Sequence, residues 1–79
     1  MEAAQQNLRL SQLQAWMDAG GQIEEPVLQR SAYYSARGRV CVFEVVVKHG
    51  GVRRVIALAD EPDVNLFLNQ QRLSILDVS

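Results

Sequence analysis

The stretch from Arg39 to Lys48, Arg-Val-Cys-Val-Phe-Glu-Val-Val-Val-Lys, constrains the fold more than any other, because seven of its ten residues are apolar and five of those seven are valines. β-Branched and aromatic side chains suit the pleated, half-buried surface of a strand. A strand this apolar at a sheet edge would recruit other chains, so it belongs at the centre of a sheet with a neighbour on each side. The flanking sequence supplies both neighbours. Gly50-Gly51 accepts the positive φ values of a two-residue primed turn and predicts a hairpin into a further strand over Val52 to Ala59. Upstream, Ser35-Ala-Arg-Gly-Arg39 marks a glycine-containing turn, and the residues after Pro26, from Val27 to Tyr34, form the first strand.

Helices bracket this meander. From about Ala3 to Ala19 the residues favour helix, with Leu10, Leu13, Trp16 and Met17 on one stripe, and Gly20-Gly21 suits its C-terminal end. Ser11 with Gln14 also fits a capping box that would start the helix only there, leaving residues 1–8 as a flexible arm. Asp60-Glu-Pro-Asp63 marks a second helix start, with Asp60 as cap, Pro62 in the first turn and Val64, Phe67 and Leu68 buried before the helix ends near Gln71. The tail from Leu73 to Val78 is a candidate extra C-terminal edge strand. The expected class is therefore α+β in one small domain over residues 1–79. Its order is α-β-β-β-α with a possible final β, an antiparallel three- or four-stranded meander with two helices on one face.

That order is similar to the one in double-stranded-RNA-binding domains. The similarity stops at element order. Such domains have a lysine-rich start to the last helix and a histidine in the loop before the corresponding strand. Here the helix starts with Asp60, Glu61 and Asp63, and the Ser35 to Arg39 turn has no histidine, so no family is assigned.

Pairing through the Gly50-Gly51 turn places His49 opposite Val52, Val47 opposite Arg54, Val45 opposite Ile56 and Phe43 opposite Leu58. One face then carries Cys41, Phe43, Val45, Val47, Ile56 and Leu58, the natural seat for the helices. The other carries Val40, Val42, Glu44, Val46, Lys48, Arg53, Val55, Ala57 and Ala59, more apolar than a face meant only for water. Either that face binds a partner, most simply another copy of the chain, or the tail or the N-terminal arm covers it. A three-residue loop before Arg39 would set Arg30 across from Glu44 on this second face, with Tyr34 beside it; a two-residue loop would turn both towards the helices. The first is preferred because it pairs the two charges.

Chemistry is sparse. His49 is the only histidine, and its nearest polar neighbours along the strands, Lys48 and Arg53, neither orient nor accept from it as a catalytic partner would. Cys41 is the only cysteine, alternates towards the core and permits no internal disulfide. One Cys and one His make no zinc site, the acids at 60–63 are accounted for by a helix start, and no glycines show phosphate-loop spacing. The expectation is a chain that is not an enzyme and uses no cofactor or metal. The start lacks a secretory pattern and the longest apolar run is Val55 to Ala59, which predict a soluble, cytoplasmic protein.

Net charge is −1, yet residues 30–54 hold +5 and the rest −6. The basic segment, with Tyr33 and Tyr34 nearby, raises nucleic-acid binding through Arg37, Arg39, Lys48, Arg53 and Arg54 as an alternative function. Against it, successive hairpins send Arg37 and Arg39 to one end of the sheet and Lys48, Arg53 and Arg54 to the other, and Arg39 is expected beside Asp60 to Asp63. A carrier pocket around Trp16, Tyr33 and Phe67 is a third possibility. The preferred function is a small accessory or regulatory protein-interaction module, self-associating as a homodimer through the second face or an edge. Its expected interface is Val40, Val42, Glu44, Val46, Val55, Ala57 and Ala59, with Arg30 beside Glu44.

Overall fold

A computed structural model of the chain describes residues 8–36 and 38–78. The first helix, α1, spans Leu8–Asp18; β1 spans Gln22–Ser35, β2 Gly38–His49 and β3 Val52–Ala59; α2 spans Pro62–Gln70 and β4 Ile75–Asp77. The fold is α+β, with two helices and a four-stranded sheet in the order β3-β2-β1-β4. The valine-rich β2 is internal, as its composition requires.

The β2–β3 hairpin forms in the expected register, from His49↔Val52 to Val42↔Ala59, and both turn glycines have positive φ. Cys41, Phe43, Val45, Val47, Ile56 and Leu58 are all buried. Except for Cys41, they join Leu10 and Leu13 of α1 and Val64, Phe67 and Leu68 of α2 in one core cluster, with Trp16 and Met17 packed against it. Both helices therefore lie on the same face. Each ends in the same motif: Gly21 N–H bonds Trp16 O and Gly20 N–H bonds Met17 O after α1, while Leu73 N–H bonds Leu68 O and Arg72 N–H bonds Asn69 O after α2. Gly20 takes the left-handed position in the first, and Arg72, at φ 55, takes it in the second.

Several boundaries differ from expectation. Ser11 lies inside α1, so the capping-box start at Ser11 is wrong; residues 1–7 of the proposed arm lie outside the described residues. Glu61, not Asp60, is the N-cap of α2 and makes no side-chain cap bond; Asp60 Oδ1 instead accepts from Asn65 Nδ2 at 2.6 Å. The first strand begins five residues before Val27, because the chain absorbs Pro26 in a bulge rather than starting after it. Glu24 pairs with Val46 and Leu28 with Glu44, so Glu25, Pro26 and Val27 together oppose Val45. A residue with no N–H is tolerated where the ladder is already interrupted. Val27 turns to the core and donates its N–H to Ser74 O at 2.8 Å, which starts the pairing with the tail. The tail runs parallel to β1, with Val27↔Ile75 and Gln29↔Asp77, so the sheet is mixed rather than wholly antiparallel. After the meander and α2 the chain returns across the sheet to its far edge, where parallel pairing with β1 is the geometry available.

Candidate functional site: the open face of the sheet

With both helices on one side, alternation along β2 and β3 leaves a second face. Val40, Val42, Glu44, Val46 and Ala57 are half-buried there, and Val55 and Ala59 are exposed, Val55 by 66%. These are the expected interface positions, brought together on adjacent strands. The tail does not cover them; it occupies the sheet edge as β4.

Arg30 also reaches this face, by a route the loop alone did not reveal. The loop between β1 and β2 has two residues, Ala36 and Arg37, since Ser35 pairs with Gly38. Two residues would have turned Arg30 to the helices, but a bulge follows: Ser31 pairs with Cys41 and Tyr33 with Val40, leaving Ala32 extra. That one-residue insertion restores the facing. Arg30 therefore pairs directly with Val42 rather than Glu44, and its Nε reaches diagonally to Glu44 Oε1 at 2.8 Å. The two-residue loop also exchanges the tyrosines, which lie between the turn and the bulge. Tyr33, opposite Val40, lies on the open face, whereas Tyr34, opposite Arg39, lies on the helix side, contrary to the expectation for Tyr34.

Three further residues belong to the face and were not named from sequence. Glu24 and Leu28, opposite Val46 and Glu44, and Leu76, opposite Leu28, follow from the bulge and from the parallel β4. Glu24 Oε1 accepts from Arg53 Nη2 at 2.6 Å across β2. The signal available for Glu24 and Leu28 was Pro26, whose missing N–H favours a bulge as well as a strand start. Around that bulge the face sinks into a depression of about 410 Å³ with Leu28, Val46 and Val55 in its lining and Glu24, Glu25 and Arg53 among its polar groups.

The described cations of the nucleic-acid alternative do not gather into one patch. Arg37 lies outside the described residues. Arg53 and Lys48 pair with each other on the open face, while Arg54, opposite Val47, lies on the helix side with its guanidinium 5.4 Å from the Trp16 ring centre. Arg39 lies at the other end of β2, nine residues or about 30 Å from Lys48. It was expected beside Asp60 to Asp63, but it reaches across β1 to the parallel β4, donating Nη2 to Asp77 Oδ1 at 3.0 Å and Nε to Ser31 Oγ. The hydrogen bond that Arg39 donates to Asp77 raises the Arg39 pKa above its ordinary value. The carrier pocket also dissolves, since Tyr33 stands on the face opposite Trp16 and Phe67.

His49 is exposed at its turn and Cys41 is buried and unpaired. No group of three His, Cys, Asp or Glu able to hold a metal occurs among the described residues, and no helix among them is long and apolar enough to cross a membrane. Among the described residues, Arg9 guards the sheet edge at β3. Asp60 N–H bonds Cys41 O, and ladder alternation from that pair turns the Ala57 carbonyl outward, where Arg9 Nη1 donates to it at 3.1 Å. Comparison of the chain with family models, curated proteins and solved structures finds no match.

Proposed function

We propose that the chain is a small non-catalytic interaction module that associates with a second copy of itself through the open face of its sheet. The observation that carries this reading is the composition of that face. Valines and alanines from β2 and β3 form its middle, and four of its charges are tied as Arg30–Glu44 and Arg53–Glu24, with Lys48 beside Arg53. Paired charges of both signs let two like surfaces meet without repulsion, and small β-branched side chains let two sheets approach to the ordinary spacing of about 10 Å. The dispersion of the arginines over both faces and both ends favours this reading over a phosphate-binding one. Replacing Val42 or Val55 by Asp tests it: each variant should keep its circular dichroism spectrum and lose self-association. A variant that still associates like the parent would remove the open face as the interface.

A further inference from the structure

β3 is an outer strand of the sheet. The bond from Asp60 N–H to Cys41 O sets the parity of its ladder, so Ile56 and Leu58 bond inwards to β2 while Arg53, Val55, Ala57 and Ala59 turn their N–H and C=O groups outwards. Arg9 Nη1 covers the Ala57 carbonyl at 3.1 Å. An apolar strand with its backbone turned outwards invites another strand to pair with it. The charge along it is also divided: Arg53 and Arg54 stand at its start, and Asp60, Glu61 and Asp63 follow its end.

We infer that β3 pairs antiparallel with β3 of a second copy about a two-fold axis at Ile56, joining two sheets edge to edge once Arg9 swings away. This contact is separate from the open face and does not rest on it. The register follows from the outward residues, whose midpoint is Ile56. Setting Arg53 opposite the second copy's Ala59, and Val55 opposite its Ala57, gives every one of those N–H and C=O groups a partner. A shift of one residue sets outward groups against inward ones. A shift of two runs Arg53 onto Glu61, whose carbonyl already accepts from Asn65 in the first turn of α2, or runs Ala59 onto Gly51 of the hairpin turn. The same register joins opposite charges. On the helix side Arg54 lies diagonally across from the second copy's Asp60, and on the open face Arg53 lies likewise from its Glu61, where the backbone is still extended at φ −128 and ψ 158. The two Arg53 residues are about 20 Å apart along the strands. α1 lies over β2 and β3, so two strand spacings, about 10 Å, separate it from its copy, an ordinary distance for packed helices. Arg9 opposes the pairing, because both copies' guanidiniums stand near the axis over carbonyls that the new ladder claims. Their repulsion and the hydrogen bond each must release keep the edge closed in the wild type.

The test uses full chains carrying Val42→Asp, which disables the open face and leaves the β3 edge intact. Adding Arg9→Ala should bring dimerisation to a concentration about tenfold lower than Val42→Asp alone shows, read by sedimentation equilibrium. Amide hydrogen exchange locates the contact: the Val55 and Ala57 N–H groups should become protected in the dimer, whereas any contact through the open face leaves them exchanging fast. In the same double variant, Arg54→Glu and Asp60→Lys should each abolish the dimer and restore it when the two are mixed, because each copy then supplies the sign the other lacks. A double variant that stays monomeric, or a dimer in which Val55 and Ala57 still exchange freely, would overturn the edge pairing. So would charge variants that keep the parent's circular dichroism spectrum and fail to rescue one another. None of these outcomes decides the open face, which Val42→Asp tests in chains that keep Arg9.

Discussion

Gly21→Ala probes the contact that keeps α1 on the core side of the sheet, away from the candidate interface. A Cβ built on Gly21 would lie 2.8 Å from Val47 Cγ1, 2.9 Å from the Trp16 carbonyl oxygen and 3.3 Å from its carbon. Carbon atoms in good contact sit about 3.5–4.0 Å apart, so the added methyl overlaps Val47 by roughly 0.7 Å or more. Neither neighbour can yield freely. Val47 is 1% exposed in the core, and the Trp16 carbonyl accepts the Gly21 N–H that closes α1. Overpacking of this kind costs about 2–3 kcal/mol, against a total stability of roughly 4–12 kcal/mol for a chain of this length. The expected fall in Tm is about 10–20 °C, read by thermal melting of the circular dichroism signal. Gly51→Ala is the control, since no atom lies within 4 Å of its added Cβ and only the left-handed backbone, at φ +82, resists it. A Gly21→Ala variant that melts within a few degrees of the wild type would refute the packing of α1 against β2. Restoring part of the loss with Val47→Ala in the same chain would confirm that the overlap is the cause.

Arg72→Gly should raise stability by about 0.5–1 kcal/mol, because a left-handed residue ending α2 suits glycine better than a residue with a Cβ; unchanged or lower Tm would argue against that helix end. Leu13→Ala, at a fully buried position, should cost about 3 kcal/mol by urea denaturation, and a loss under 1 kcal/mol would place α1 off the core. The Cys41 thiol should react with a chromogenic disulfide reagent only slowly in buffer and rapidly in urea; equal rates would mean it is not buried.

The parts of the fold legible in the sequence were those governed by local chemistry. Gly50-Gly51 fixed the β2–β3 register through its turn, and the two-residue alternation then sorted Cys41, Phe43, Val45 and Val47 from Val40, Val42, Glu44 and Val46 without error. Leu10 and Leu13, and Val64, Phe67 and Leu68, followed from helical spacing in the same way. What escaped depended on interruptions whose cost is shared between distant segments. Ala32 is an ordinary residue, yet its insertion returns Arg30 to the face of Glu44 after a two-residue loop. The bulge at Pro26 is supported by a tail nearly fifty residues away, through Val27 N–H to Ser74 O and Ser74 N–H to Glu25 Oε2. For the same reason Arg39 found Asp77 rather than the nearer acids: the parallel placement of β4 is set by the return of the chain across the sheet, not by any residue beside Arg39. The apolar half of the candidate interface could be named from alternation alone. Tyr33 and the Glu24–Arg53 pair could not, because the first depends on the length of the β1–β2 loop and the second on β1 continuing through the bulge at Pro26.

The most direct test of the interface is the mass of the wild-type chain measured by sedimentation equilibrium from low to high micromolar concentration. Self-association through the open face predicts a rise from the 8.9 kDa of one chain towards twice that value, reversible on dilution and lost in Val55→Asp. A mass that stays at one chain throughout would contradict it.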